Sequence, residues 1–543
     1  MPPLNWRGVA SRALPVILLL AGWGLRVHAL AAKSLWYDEL RQVEVAQAPL
    51  SQMNDLLIEH AARPLDYLVT HALLPYTGAV DGAAGRAEFW LRFPAAVWSL
   101  LALAAFWPLA RRWLDPPAAA LAGALFAAAP LAVQYSQELR PYSLYLLLSV
   151  LSFYCLDCAL GLGRRPQRAP ALHWAAFALL SAAGTLTHFF YAFLIFAQGV
   201  FVAGWFVASW LRALRSRRGP GARFAWRGLL AFALGAAAGL CGLTIGFSPE
   251  HASSYASEFL SALVAAPSSG GLVSDTGITV RLADTLDANF FVRGVLPFFG
   301  GGEGPALIMF SALVLIGLFV LARRQPARLA LALLWLLLAP GLVILYLQYR
   351  QQFFALRYIL YALPIYLLLA AAGLAALSRA LARGWGREAG LGLAAAGLAL
   401  LVFFQLQRVA FYYAQPKDDW RRVARFLTLN ARPGDMLGAP DVQAFIRFYA
   451  PRQPATIIDA NDLGPHQEAL DNGERFWFID STYTLQPLAE TQDWARALPG
   501  VTFQLDPVIR VIFVDPNVSQ AEMLAEAQKF VVPPPSLKAS STD

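Results

Sequence analysis

Apolar runs long enough to cross a bilayer alternate with short polar breaks from residue 12 to residue 410. They predict about eleven membrane spans: 12–31, 90–110, 117–133, 141–160, 172–187, 189–210, 228–247, 305–322, 329–347, 358–378 and 390–410. The long apolar stretch 172–210 is divided at His188. After Phe411 the rhythm changes. "KDDWRRVARFLTLNA" reads as an amphipathic helix and "RPGD" as a turn. The short strands "ATIID", "RFWFID" and "VIRVIFV" follow, with helical pieces around Val442–Tyr449 and Trp494–Leu498. Alternating strands and helices predict a small α/β domain over 412–530, expected to fold by itself. The tail 531–543, "VVPPPSLKASSTD", is expected to be disordered.

Arginine placement orients these spans. Arg111–Arg112, Arg164 to Arg168, Arg212 to Arg227, Arg323 to Arg328 and Arg379 to Arg387 fall in alternate connections. Those five are expected to be cytoplasmic. The others face outward and carry Asp38, Glu138, His188, the external loops 32–89 and 248–304, and the C-terminal domain. The break at His188 is needed for one topology to satisfy every cluster. Loop 32–89 holds amphipathic pieces suited to the membrane surface. Loop 248–304, with "PSSGG" and "FFGGGEG", suits a mobile cover over a site.

Composition strengthens the membrane reading. The 543 residues are 58% hydrophobic and 14% charged, against roughly 25% charged in a soluble domain. The fold class is a polytopic α-helical membrane protein, with residues 1–411 as the membrane domain. The net charge of +8 is almost all arginine in short clusters, which fits membrane topology and not nucleic-acid binding. Of three cysteines, Cys155 and Cys158 form "CLDC", which has no second pair to complete a zinc site and reads as two thiols on a span. "ALA" at 29–31 resembles a signal-peptidase site.

Four places can carry chemistry. "SLWYDELRQ" sets Asp38 and Glu39 beside Trp36 where the first span ends. Carboxylates at the water–lipid boundary serve either as general bases or as ordinary starts of an interfacial helix. "QYSQELRPYSLY" interrupts two spans on the same side with Glu138 and Arg140, which also suit a capped turn. "LTHFFYAF" puts His188 at a span end, where a hydrogen-bonded structural role is the commoner one. "YRQQFFALRYILYALP" carries Arg350, Arg357 and Tyr358 at an outward end, where arginine either grips a phosphate or snorkels.

"LWYDE", "RPLDYLVTHALL", "EFWLRFPAAVWSLLALAAFWPLARRWL", "QYSQELRPYSLYLLL", "LTHFFYAFLIFAQ", "LRYILYALPIYLLLAAAGL" and "KDDWRRVARFL…RPGD" occur in that order. Together they resemble the bacterial polyprenyl-phosphate-sugar glycosyltransferases, which include protein O-mannosyltransferases and lipid A aminoarabinose transferases and share the GT-C fold. The resemblance covers most of 1–435. The family retains its first span, which implies an uncleaved signal anchor. It implies Asp38 as catalytic base with Glu39 as its partner, and Glu138 and Arg140 as the second external acidic turn. His188 matches a "TH" histidine, and Arg357–Tyr358 an "RY" pair near the lipid phosphate. Relatives read "HPPLYYLLLH" where this chain has "ARPLDYLVTH". Pro64, Leu65, Tyr67 and His71 fit, while Ala62 and Asp66 depart, with His60 two residues early as a substitute.

The resemblance therefore implies an inner-membrane enzyme moving a sugar from a polyprenyl-phosphate donor to a hydroxyl on protein, lipid or polysaccharide, with inversion. No nucleotide or other cofactor is required by the sequence. Glu39, Glu138 and His188 can supply ligands to a divalent metal, though their spacing carries no signature. A flippase for lipid-linked sugar would need ionisable groups at mid-span or broken helices in repeated halves. The charges here sit at outward ends. A scaffold whose α/β domain binds polymer or protein would have no requirement for Asp38.

Overall fold

The computed structural model describes residues 6–59, 62–77, 84–162, 170–216, 230, 232–237, 280–281, 290–350, 353–415, 417–458, 460, 462–481 and 489–535. Among these, seven helices are long and apolar enough to cross a membrane: Ala87–Trp113, Tyr142–Ala159, Tyr191–Arg212, Pro305–Arg324, Pro326–Tyr349, Leu356–Trp385 and Arg387–Ala414. Each coincides with an expected span. Two shorter apolar helices, Ala13–Val27 and Pro116–Ala127, lie at two more, and the helix Pro170–Thr187 at another. The span expected at 228–247 falls mostly outside the described residues, as does most of loop 248–304. The chain breaks at His188, between helices ending at Thr187 and starting at Tyr191.

The segment Leu356–Trp385 is the central element and is buried from Leu356 to Ala375, with Tyr358 half-buried, whereas its last turns reach the surface and half of Arg387–Ala414 is exposed. Two glycines let the central helix approach its neighbour. A Cβ on Gly373 would fall 2.0 Å from the Leu313 carbonyl oxygen, and one on Gly317 would fall 2.1 Å from that of Leu369. In lipid, where apolar side chains gain little by leaving their solvent, such close backbone approach is what joins helices. Proline starts many helices, including those at Pro116, Pro305 and Pro326, where its missing N–H is no loss.

On one side of the spans, loop 32–89 forms three helices, Tyr37–Gln47, Leu50–Glu59 and Pro64–Thr77. The first and third of these share an apolar cluster with the C-terminal domain through Leu40, Val43 and Leu74. That domain contains strands β3 (Met436–Gly438), β4 (Thr456–Ile458), β5 (Phe476–Ser481), β6 (Val501–Asp506) and β7 (Ile509–Val514) in the order β4-β3-β5-β7-β6. Earlier in the chain, β1 (Val280–Arg281) pairs with β2 (Phe353–Phe354). β3 runs parallel to β4 and β5, and β7 antiparallel to β5 and β6. β5, the middle strand, is buried on both faces, which explains its unbroken run "FWFID".

The domain, expected to fold by itself, shares part of its core with the rest of the chain. Trp420, Phe445 and Phe448 belong to one apolar cluster with Leu35, Leu40, Val43, Leu74, Leu91 and Leu139 from the loops and span ends. A buried ion pair reinforces the junction. Glu88, fully buried in the helix Ala84–Trp113, accepts from Arg421 and from the Tyr449 hydroxyl. That hydroxyl in turn accepts from the Leu35 amide at 2.6 Å. Removing one partner of a buried pair strands the other charge away from water. Arg421→Ala is therefore expected to cost about 3 kcal/mol, seen as a lower thermal midpoint in detergent. Glu88→Leu combined with Arg421→Leu should lose less than Arg421→Ala alone. A wild-type midpoint in Arg421→Ala would contradict the shared junction.

Candidate active site

The two adjacent carboxylates part company at the start of the helix Tyr37–Gln47. Glu39 turns inward and is fully buried, whereas the Asp38 side chain keeps 28% of its surface exposed. Glu39 Oε1 and Oε2 each accept from Arg92 at 2.7 Å, in a two-pronged pair. Oε1 also accepts from the Leu139 amide, and Oε2 accepts from the Trp36 amide at the start of the helix. The Lys417 ammonium stands 3.5 Å from Oε2. Arg92 uses its remaining donor capacity on the carbonyls of Leu30, Lys33 and Ser34. All five of its N–H groups are engaged. Burial opposes the charge on Glu39, but Arg92, Lys417 and the amide bonds outweigh it and hold the carboxyl down at about 2.

Asp38 meets its cations differently. Arg140 and Arg357 each place Nη2 at 3.7 Å from the same oxygen, Oδ2. That exceeds the roughly 2.7–3.2 Å of a formed N–H···O bond. Oδ1 makes no hydrogen bond or ion pair among the described residues. Arg140 also donates to the Asp38 carbonyl at 3.3 Å and to the Tyr67 hydroxyl at 3.4 Å. Arg357 is buried, with its guanidinium 5.4 Å from the Trp36 ring, 5.6 Å from that of Tyr142 and 5.5 Å from that of Tyr358. The Lys417 ammonium lies 5.2 Å from the same Trp36 ring.

Aromatic side chains wall the site. His188 stacks on Tyr145 with ring centroids 4.9 Å apart and contacts Tyr142, Phe190 and Tyr358. Burial, then Arg140, Arg63 and Arg357, push the His188 pKa down to about 3. The imidazole is neutral at working pH. Its depression also reports the local field: three guanidiniums act on one ring.

Residues 83–234 match the family of dolichyl-phosphate-mannose-protein mannosyltransferases. The whole structure is similar to ArnT from Cupriavidus metallidurans. The form bound to undecaprenyl phosphate aligns with 14% identity and a TM-score of 0.52, over 94% of this chain and 98% of that one. The apo form gives 14% identity and 0.53 over the same shares. The chain has the GT-C fold. It is also similar to the archaeal oligosaccharyltransferase AglB from Archaeoglobus fulgidus in complex with an inhibitory peptide and a dolichol-phosphate. There the identity is 12% and the TM-score 0.51, over 94% of this chain and 75% of that one. No curated protein matches the chain by sequence.

On this GT-C scaffold Asp38, Arg140, Arg357, Tyr358, Tyr67 and His188 come together. Glu138 is buried in the same turn as Arg140. Glu39, expected as a catalytic partner, is fully buried and has its oxygens taken by Arg92, two amides and Lys417. Arg350 ends the helix Ala339–Tyr349 and is not among the cations on Asp38. His60 lies outside the described residues. The ligand set Glu39, Glu138 and His188 does not form, since Glu39 is committed to Arg92. Among the described residues no three His, Cys, Asp or Glu side chains converge as a metal group would require. Asp66 is buried and accepts from Gln42 at 2.5 Å. Burial pushes its carboxyl up, opposed by the Gln42 bond and Arg140.

Sequence reasoning gave no role to Arg92, Glu88, Lys417 or Arg421. Glu88 and Arg92 stand four residues apart in "EFWLRF", one helical face of an otherwise apolar span start. That spacing was the available signal. Their importance yields a pH prediction. The folded pKa of Glu39, about 2, lies below its ordinary 4.5. The charge therefore stabilises the fold fully above about pH 4.5 and loses that contribution as pH falls toward 2. The stability difference between wild type and Glu39→Gln, from chemical or thermal unfolding, should be constant above pH 5 and shrink steadily below about 4.5. A difference unchanged down to pH 3 would contradict it.

Proposed function

We propose that the chain is a membrane glycosyltransferase that moves a sugar from a polyprenyl-phosphate donor to an acceptor hydroxyl at the outer face of the membrane. The observation that carries this reading is the Asp38 carboxylate. One oxygen makes no hydrogen bond among the described residues, and the other lies 3.7 Å from two guanidiniums, of buried Arg357 and half-buried Arg140. A general base needs the first. A phosphate needs the second set of groups. The similarity to proteins whose structures contain undecaprenyl phosphate and dolichol-phosphate supports the donor class.

Asp38 Oδ1 takes the proton of the acceptor hydroxyl as its oxygen attacks the anomeric carbon. The bond from that carbon to the phosphate oxygen breaks through an oxocarbenium-like state, as in glycoside hydrolysis. The electron pair leaves with the lipid phosphate, where Arg357 and Arg140 receive the growing charge. The proton held by Asp38 passes to solvent or to the departing phosphate. One displacement inverts the anomeric centre. The donor phosphate draws both arginines off Oδ2, so binding also frees the base. Asp38 sits at the mouth and Arg357 within, which fits a lipid tail among the spans and a sugar near water. The inner membrane is the proposed location, with the C-terminal domain outside.

Purified protein incubated with a panel of polyprenyl-phosphate sugars should release free polyprenyl phosphate, read by mass spectrometry. Asp38→Asn should lower turnover by about 100-fold or more while the protein stays folded. Near-normal turnover would remove Asp38 from the mechanism.

Arg357 tests the phosphate role separately. A snorkelling arginine would be replaced almost fully by lysine, whereas a two-pronged phosphate ligand would not. Arg357→Lys should weaken binding of undecaprenyl phosphate, and Arg357→Ala should weaken it more, by about 10- to 100-fold. Wild-type affinity in Arg357→Ala would exclude the role.

A further inference from the structure

At the far end of the spans the protein holds a second site of different character. The helix Ala84–Trp113 carries Arg92 beside Glu39 and Arg111–Arg112 in its last turn. Twenty residues of helix separate the two levels by about 30 Å, roughly the thickness of the hydrocarbon core. A cavity of about 900 Å³ opens there. Arg111, Arg112, Arg212, Arg324, Arg328 and Arg379 line it, contributed by five helices.

The charge in this cavity is not balanced. Asp157, fully buried, takes Arg112 at 2.5 Å and Arg328 at 2.8 Å. Asp115 takes Arg379 at 2.6 Å. Arg212 bonds within its own helix and lies over Trp205, with no carboxylate partner among the described residues. Arg111 and Arg324 are exposed and have no carboxylate partner among the described residues. Six guanidiniums thus face two carboxylates. The walls between them are apolar, from Leu162, Val320 and Ala372. The usual bias of arginine toward one side of a membrane explains basic span ends. It does not require them to converge on one cavity with apolar walls.

We propose that this cavity binds the phosphate headgroup of an anionic membrane phospholipid, with an acyl chain along the apolar wall. Placement at headgroup depth, surplus positive charge and an apolar wall together fit an amphiphile better than a free anion. The paired arginines Arg112 and Arg328 form a fixed floor, since Asp157 holds them. Arg111 and Arg324 are left to close on the phosphate. The site is independent of the proposed transfer reaction.

Native mass spectrometry of the purified protein, titrated with phosphatidylglycerol and separately with phosphatidylethanolamine, tests this. Wild type should retain phosphatidylglycerol at lower concentration. Arg111→Gln with Arg324→Gln should weaken phosphatidylglycerol by about 5-fold per arginine, or about 25-fold together, and leave phosphatidylethanolamine unchanged. Arg111→Lys with Arg324→Lys keeps the charge and should keep most of the affinity, which separates recognition from any effect on folding. Equal retention of both lipids by wild type would overturn the proposal, as would an unchanged affinity in the glutamine pair. Displacement of phosphatidylglycerol by millimolar inorganic phosphate would overturn the lipid assignment in favour of a free anion.

Discussion

The buried pair between Glu39 and Arg92 is the constraint on which the outer half of the molecule depends. Placing both charges out of water costs several kcal/mol for each ion, and attraction offsets this only when geometry and remaining hydrogen bonds are complete. Here they are complete. Arg92 spends five donors on one carboxylate and three carbonyls. Glu39 spends its oxygens on that guanidinium, two amides and Lys417. Four separate pieces of chain are thereby fixed: the exit of the first span, the turn carrying Glu138 and Arg140, the second span, and the approach to the C-terminal domain. Such a pair adds less to stability than to definition of one arrangement.

What it defines is the difference between two neighbouring carboxylates. Adjacent positions at a helix start point in different directions, so anchoring Glu39 inward obliges Asp38 to face the cleft. A bond at 2.7 Å on one side and ion pairs at 3.7 Å on the other separate a tightly held carboxylate from a loosely held one, the one proposed as the base. Arg357 is held by its packing against Trp36, Tyr142 and Tyr358, and Arg140 by Tyr142 and the Tyr67 hydroxyl, so both have contacts other than the carboxylate to keep them in place. A phosphate can therefore take them over without reorganising the site, which is how preorganised charge works in a partly dry cleft.

The spans were legible because twenty apolar residues between arginine clusters leave few other structures in a bilayer. Strands β5 and β7 were legible as short apolar runs. β3 was not, because three residues show no period, and β6 was passed over although Val501, Phe503 and Leu505 alternate with polar residues. The helix Leu463–Asp471 lacks a clear apolar face and was also missed. In the site, Asp38, Arg140 and Arg357 stood out as charges at outward span ends. The role of Glu39 was not readable, because an inward and an outward carboxylate look alike until the partner on another helix is known. The shared core of the C-terminal domain was hidden for the same reason: Trp420 and Leu40 reveal their contact only in three dimensions.

The central claim is that Asp38 and the donor phosphate compete for the same two guanidiniums. The affinity of Asp38→Asn for undecaprenyl phosphate, compared with wild type at one pH in one detergent, tests it most directly. Removing the carboxylate's charge leaves Arg140 and Arg357 with no rival for the phosphate, so the variant should bind as tightly as wild type or more tightly. Weaker binding by Asp38→Asn, with the fold intact, would show that the arginines do not pass from carboxylate to phosphate and would contradict the account.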